Sequence, residues 1–364
     1  MECQTCSKNY FKVETDEAIY QFEFAEVQFE ITGRCNMNCV HCRGAFDEKV
    51  DLPIEQIEKV LKFVRKYSPN FKEVTLSGGE PFMHKQFKEI LQMVRNSNVI
   101  NLTLTTNGSF INKEIIEYIK ELRFKRVLFS VSLDSIDKEE HNIFRNHKNA
   151  YDIAMNAFKL LREYGDDSFY ISLRSTITPQ NIKNMEEIAK VAIGLSLNRV
   201  SFASVLPSGN AINNPDILMT GEQLMEFCSN VKKLYLKYKS IIDVSSNEAL
   251  KWQTRMDELL KEEGKLLLNS CPAGTLSFNV NSNGDITPCS LLNIKILNIM
   301  ELTEYEIEEA YRNSPIVKSL LTRSLKGKCG KCKYKSDCSG CRVRAFNLKG
   351  DYLEEDPSCV RGPF

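Results

Sequence analysis

The chain has 364 residues, 42% hydrophobic and 26% charged, a composition that buries a sizeable core in two or more domains, so a chain disordered as a whole is not the expected state. Lys plus Arg equals Asp plus Glu at 48 each, so no basic surplus exists to hold a phosphate backbone, and nucleic acid is not an expected partner. The opening residues carry no apolar signal region and no run of about 18 uncharged apolar residues occurs, which predicts a soluble, cytoplasmic protein without a membrane partner.

Residues 1–24 form an N-terminal extension in which Cys3 and Cys6 sit on a polar tail expected to be disordered. Six short apolar runs follow, at 25–32, 72–78, 101–108, 126–134, 169–178 and 199–207, each of strand length and composition. Between them, apolar residues recur at helical spacing: Ile54, Ile57, Val60, Leu61 and Val64, then Phe87, Ile90, Leu91 and Val94. The segments "KEIIEYIKEL", "YDIAMNAFKLLREY" and "NIKNMEEIAKVAIGL" repeat the pattern. Parallel strands need helical crossovers, so these βα units predict an α/β fold with a parallel sheet, as a partial barrel or a doubly wound sheet.

Past residue 208 the rhythm breaks. "PSGNAINNPD" reads as a loop, "GEQLMEFCSNVKKLYLKY" as a helix with Cys228 on its apolar side, and from Cys271 onward Gly, Asn, Lys and Cys dominate. The expected organisation is a barrel over 25–240, a linker helix region over 241–270, and a cysteine-rich domain over 271–364 held more by metal than by a core.

Thirteen cysteines in an unexported chain point to metal rather than to disulfides. They segregate: Cys35, Cys39 and Cys42 lie together in "CNMNCVHC", while Cys271, Cys289, Cys329, Cys332, Cys338, Cys341 and Cys359 fall near the end. The triplet follows the first strand, at the sheet edge where α/β enzymes keep their chemistry. Thiolates at C-x3-C-x2-C can hold three irons of a [4Fe–4S] cluster and leave the last one open. A zinc ion on the same cysteines plus His41 is the competing reading, weakened because His41 adjoins Cys42. The second strand ends in "SGGEP", whose glycines allow a ligand close to the backbone and whose Glu80 adds a carboxylate. By composition alone it is also an ordinary strand-to-helix turn.

Taken together, "CNMNCVHC", "SGGEP", "TTNG" and "VSLD", at the ends of the first four strands, resemble the radical S-adenosylmethionine enzymes over roughly residues 25–210. The resemblance implies a partial (β/α)6 TIM-like barrel and a cluster on Cys35, Cys39 and Cys42 whose open iron takes S-adenosylmethionine. Reductive cleavage of that cofactor would give a 5′-deoxyadenosyl radical that abstracts a substrate hydrogen. The resemblance also implies cofactor contacts by Ser77, Gly78, Gly79 and Glu80, with the last three at the methionyl amine. His41 would pack near the adenine, and Ser132 and Arg145 would contact ribose and carboxylate. By residue type alone, Ser132 is equally a strand hydroxyl and Arg145 a solvated helix charge.

The late cysteines read Cys271, Cys289, then C-x2-C-x5-C-x2-C from Cys329 to Cys341, then Cys359, with too few residues between the pairs for a zinc ribbon. This order resembles the SPASM extension of the same family. It implies two auxiliary [4Fe–4S] clusters, one on Cys271, Cys289 and Cys341 and the other on Cys329, Cys332, Cys338 and Cys359. The last pair is one residue closer than the family's pattern, which leaves open the cluster that Cys341 serves. Three clusters predict about twelve irons per chain.

Relatives with this extension are mostly peptide modifiers, so the resemblance implies oxidative maturation of a ribosomal peptide through a thioether or carbon–carbon cross-link, with a flavodoxin- or ferredoxin-type electron donor. The residues ahead of the first strand are too few for a leader-recognition domain, so recognition would fall to a separate protein or be absent. A small-molecule dehydrogenase or epimerase is the alternative, as is an anaerobic sulfatase-maturating enzyme, although the latter has an aspartate where this chain has Ser290. A hydrogen-donating thiol, as an epimerase needs, is the second reading of Cys228. From a different class comes a non-catalytic electron carrier, which would have no use for "SGGEP".

Overall fold

The computed structural model describes residues 10–44, 49–246, 248 and 271–360. Cys3, Cys6 and most of the expected linker at 241–270 lie outside the described residues. The first element is an antiparallel hairpin of Phe11–Glu14 (β1) and Ile19–Phe22 (β2), a departure from the expected tail. Alternation explains it: Phe11, Val13 and Phe22 are buried, and Phe11 stacks within 5.1 Å of Tyr67 and 5.3 Å of Phe24.

The expected strands follow as Glu26–Thr32 (β3), Glu73–Gly78 (β4), Asn101–Thr106 (β5), Arg126–Ser132 (β6), Phe169–Ile177 (β7) and Arg199–Ser204 (β8), with Asp243–Ser246 (β9) added at one edge. Each pairs parallel with the next. The crossovers are helical: Ile54–Tyr67 (α1), Phe87–Asn96 (α2), Lys113–Glu121 (α3), Lys138–Arg145 (α4) with Ala150–Tyr164 (α5), Met185–Gly194 (α6) and Gly221–Tyr238 (α7). Their apolar stripes, such as Ile57, Val60, Leu61 and Val64 on α1, close the outer face of the sheet. Cys228 is buried in the core on α7, as its apolar neighbours predict.

The strands alternate in a way that buried parallel strands do not. Val27, Phe29 and Ile31 on β3, Val74 and Leu76 on β4, and Val127, Phe129 and Val131 on β6 enter the core. The intervening Gln28, Thr75, Thr103, Ser130, Arg174 and Ser201 line a cavity of about 590 Å³ on the opposite, concave face. The fold is therefore an α/β partial barrel with a polar interior, open at its edges.

The cysteine-rich segment is joined to this sheet and shares its core. Ser277–Val280 (β10) pairs parallel with β3, and Asp285–Thr287 (β11) and Leu297–Asn298 (β12) extend the row, giving the order β12-β11-β10-β3-β4-β5-β6-β7-β8-β9. Glu304–Asn313 (α8), Pro315–Thr322 (α9), Gly327–Gly330 (α10) and Arg342–Lys349 (α11) complete the chain. Phe278 and Tyr311 join Phe11, Phe24 and Phe63 in one aromatic cluster, so apolar packing holds this segment through residues 278–317. No helix among the described residues is long and apolar enough to cross a membrane.

Candidate active site

The loop leaving β3 carries Cys35, Cys39 and Cys42, and all three line the cavity at the carboxyl edge of the strands. Two backbone bonds zip this loop to the "SGGEP" turn: Gly79 N donates to Thr32 O at 2.8 Å and Glu80 N to Arg34 O at 2.7 Å. The glycines are required there. A Cβ on Gly78, whose φ is +134°, would lie 2.4 Å from Thr32 O, and one on Gly79 would lie 2.2 Å from Arg34 O and 3.0 Å from the Cys35 Cβ. Both glycines border the cavity.

Glu80 is fully buried, and its carboxyl turns inward rather than toward the cavity. It accepts from Thr106 Oγ1 at 2.7 Å and from Asn107 N at 2.8 Å, while burial pushes it up to about 7. The carboxyl thereby ties the end of β5 to the turn after β4. Asn107 in turn reaches Asn36 at 2.9 Å and Cys35 Sγ at 4.0 Å. Ser77 also sits behind the wall: its hydroxyl accepts from Gln28 and from Arg43.

α4 delivers one expected residue, Arg145, and braces another, His41. Asp137 caps its start, and Asn146 ends it in a left-handed conformation at φ 47°. Phe144 stacks on His41 with centroids 4.2 Å apart and 8° between the planes. His41 borders the cavity, and its buried Nδ1 has no partner. Burial, reinforced by the Arg145 cation, keeps this imidazole neutral, down to about 3. Arg145 is not a solvated helix charge: its Nε donates to the buried Asp134 at 2.6 Å and its Nη1 approaches Cys39 Sγ at 3.9 Å. Asp134 also accepts from Thr176 N at 2.8 Å and is held down to about 2: burial opposes this, and the charge and hydrogen bond of Arg145 together with the neighbouring His41 and His141 outweigh it. Ser132 lines the cavity beneath this pair.

The "PSGNAINNPD" loop braces the thiols from the far side. Asn210 N donates to Cys42 O at 2.8 Å and its Nδ2 to Cys39 O at 3.0 Å. Gly209, at φ +55°, lies so close that a Cβ there would meet Cys42 O at 2.3 Å. Arg43 pairs with Glu30 and donates to Ser290 O at 3.2 Å, which docks the segment after Cys289 onto the same loop.

Among the late cysteines, Cys271, Cys289 and Cys341 are electrostatic neighbours: burial pushes Cys289 up to about 12, and the other two thiols add to it. Cys329 accepts from Asp356 N at 3.4 Å and feels Cys359, while Cys332 follows it on the turn after α10. Cys338 accepts from Gly340 N at 3.3 Å and shares the surroundings of Arg323 with Cys271. A buried network backs Cys341: Arg344 bonds both Asp356 and Glu248, and Asp356 accepts from Cys341 N at 2.8 Å. No disulfide involves a described cysteine.

The loop fits an iron–sulfur cluster. Its donors are soft thiolates, and the glycine cradle leaves bare backbone beside them at the cavity edge. Among the described residues no group of three His, Cys, Asp or Glu could hold a metal ion as it stands, whereas a cluster's own sulfides fill the space between thiolates.

Barrel and site together define an α/β enzyme with thiols gathered over a polar cavity at the carboxyl edge of its strands. Residues 29–192 match the radical SAM superfamily, and the chain is a radical S-adenosylmethionine enzyme. It is 28% identical to an AdoMet-dependent heme synthase of Methanosarcina barkeri, over 93% of this chain and 96% of that one. A Fe-coproporphyrin III synthase of the same organism is 25% identical over 92% of this chain and 87% of its own length. Among solved structures, Streptococcus suis SuiB bound to precursor peptide SuiA has the same fold, with a TM-score of 0.72 at 18% identity, covering 93% of this chain and 76% of that one.

Proposed function

We propose that the chain binds a [4Fe–4S] cluster on Cys35, Cys39 and Cys42, cleaves S-adenosylmethionine reductively, and oxidises a substrate held in the polar cavity. The zipping of the cysteine loop to the Gly78–Gly79 cradle carries this reading, because it leaves bare backbone beside thiols at the cavity edge. When bound, cluster and cofactor supply hydrogen-atom abstraction. The chain's own residues do the rest. Gly78 and Gly79 admit the methionyl end, with Ser77 and Glu80 holding the turn from behind. His41 on Phe144 offers a flat face for the adenine, Arg145 sets a fixed cation beside Cys39, and Ser132 offers a hydroxyl to the ribose.

Two auxiliary clusters, one on Cys271, Cys289 and Cys341 and one on Cys329, Cys332, Cys338 and Cys359, would take the electron that an oxidation releases. A flavodoxin- or ferredoxin-type protein would supply the reducing electron. Residues 25–240 and 271–364 remain the two functional units, although one sheet runs through both.

For the substrate we put a tetrapyrrole first, since the heme synthase matches 93% of this chain at 28% identity. A ribosomal peptide receiving a thioether or carbon–carbon cross-link is the second reading, favoured by a fold shared with a peptide-bound enzyme. The test is anaerobic: reconstitute the protein, count iron and sulfide, add dithionite and S-adenosylmethionine, and follow 5′-deoxyadenosine by mass spectrometry. About twelve irons and the appearance of 5′-deoxyadenosine are expected; bound zinc with intact cofactor would overturn the reading.

A further inference from the structure

An arginine inside a protein is normally met by a carboxylate, because an unpaired buried cation is costly. Arg174 on β7 departs from that rule. Its side chain lines the cavity, and among the described residues the guanidinium makes a single hydrogen bond, from Nη1 to Ser201 Oγ at 2.6 Å. Among the described residues no carboxylate lies within ion-pair reach of it.

Its neighbours add to the imbalance. Arg199 lines the same wall one layer lower, donating to Ser172 Oγ at 3.2 Å and likewise without an ion pair among the described residues. Arg43 is close enough to be felt but already holds Glu30. Asp134 is committed to Arg145 and Thr176. Burial, together with the Arg199 and Arg43 charges, lowers the Arg174 guanidinium to about 10. Glu73 and Asp243 act on Arg199 from the far mouth of the barrel without contacting it. The wall at Arg174 is thus left with positive charge that its own side chains do not balance.

The register places this charge near the chemistry. Arg174 lies opposite Ser132 on β6, the hydroxyl beneath the Arg145–Asp134 pair and the cysteine loop. A guanidinium fork binds a carboxylate through two parallel bonds, which fixes orientation as well as position.

We infer that Arg174, seconded by Arg199, is a carboxylate-binding subsite for a small-molecule substrate, of the kind offered by the propionate arms of a tetrapyrrole. The inference deepens the tetrapyrrole reading above and rests on it. Arg174 and Arg199 choose the substrate by its acid groups and hold one arm below the cysteine loop.

The experiment is equilibrium dialysis of coproporphyrin III and of its fully methyl-esterified form against the reconstituted enzyme with S-adenosylmethionine. Arg174→Met is expected to weaken binding of the acid about tenfold or more, and Arg199→Met less, while the weaker affinity for the ester stays the same in all three proteins. Arg174→Lys, which keeps the charge and loses the fork, falls between. Iron content and S-adenosylmethionine binding in Arg174→Met match the parent, and its Tm is equal or higher, because an unbalanced cation has been removed.

Unchanged affinity for the acid in both methionine variants overturns the inference, as does failure of the parent to bind the acid. Loss of S-adenosylmethionine binding in Arg174→Met would reassign the arginine to the cofactor's carboxylate and overturn it as well. Failure of the parent to release 5′-deoxyadenosine with dithionite would instead sink the proposed function, whatever the dialysis reads.

Discussion

Gly209→Ala tests whether the "PSGNAINNPD" loop shapes the thiol site. The new Cβ would sit 2.3 Å from Cys42 O and 2.4 Å from Arg43 O, roughly 1 Å inside an ordinary carbon–oxygen contact, with two backbone carbonyls as the obstacle. A φ of +55° adds about 1–2 kcal/mol for a residue other than glycine. Relieving the clash pulls Asn210 away from Cys42 O and Cys39 O, forfeiting two hydrogen bonds of about 1 kcal/mol each. The sum, about 3–4 kcal/mol, falls on the loop that presents Cys39 and Cys42. After anaerobic reconstitution the variant should lack about four of about twelve irons and release little 5′-deoxyadenosine. Gly194→Ala is the control, since a Cβ there meets nothing within 4 Å. A Gly209→Ala protein with parental iron, parental cofactor cleavage and parental Tm would refute the bracing role.

Gly194→Ala itself, at the end of α6, should raise stability by up to about 1 kcal/mol in urea titration through helix propensity. Phe24→Ala should cost about 3–5 kcal/mol, because the ring touches Phe11, Phe278 and Tyr311 from three parts of the chain; a loss under 1 kcal/mol would deny that the hairpin and the late segment share a core. Asp134 has a folded-state value near 2, below the ordinary carboxylate value of about 3.9. It therefore contributes about 2–3 kcal/mol that is present above pH ~4 and lost as the pH falls toward ~2. Asp134→Asn should flatten acid unfolding across that window, and an unchanged profile would count against the pairing with Arg145. Changing Cys39 to Ala should remove about four irons and abolish 5′-deoxyadenosine while the late clusters remain, as read by iron analysis and electron paramagnetic resonance.

The parallel block was legible because each strand and crossover helix carries its own period, so β3 to β8 need no knowledge of distant partners. The polar inner wall was also written there, in the alternation Glu26-Val27-Gln28-Phe29-Glu30-Ile31, and it escapes notice when the strands are taken as buried on both faces. α4 lacks an apolar stripe, and its placement depends on Phe144 meeting His41 and on Arg145 meeting Asp134. By residue type alone Arg145 could equally be a solvated helix charge, and it is buried in the structure. The late segment reads as core-poor because Phe278 and Tyr311 find their aromatic partners in residues 11–67. Asn107 was visible only as part of "TTNG", and Gly209 and Asn210 only as turn residues, since what they hold is the backbone or side chains of another loop.

β3 lies between β4 and β10, so the strand whose end carries the cysteine loop pairs on one side with a partner made shortly after it and on the other with one made much later. Glu26 pairs with Ser277, roughly 250 residues further along, which at about 5–20 residues per second means tens of seconds of synthesis. During that interval β3 is an unpaired parallel edge next to reduced thiols, open to addition by another strand. The arrival of β10 closes the edge, with Cys271 ahead of it and Cys289 just past β11, whereas Cys329 to Cys359 are made only after the last strand of the sheet. Chains that stall or are truncated before residue 280 should accumulate as aggregates rather than as a free barrel.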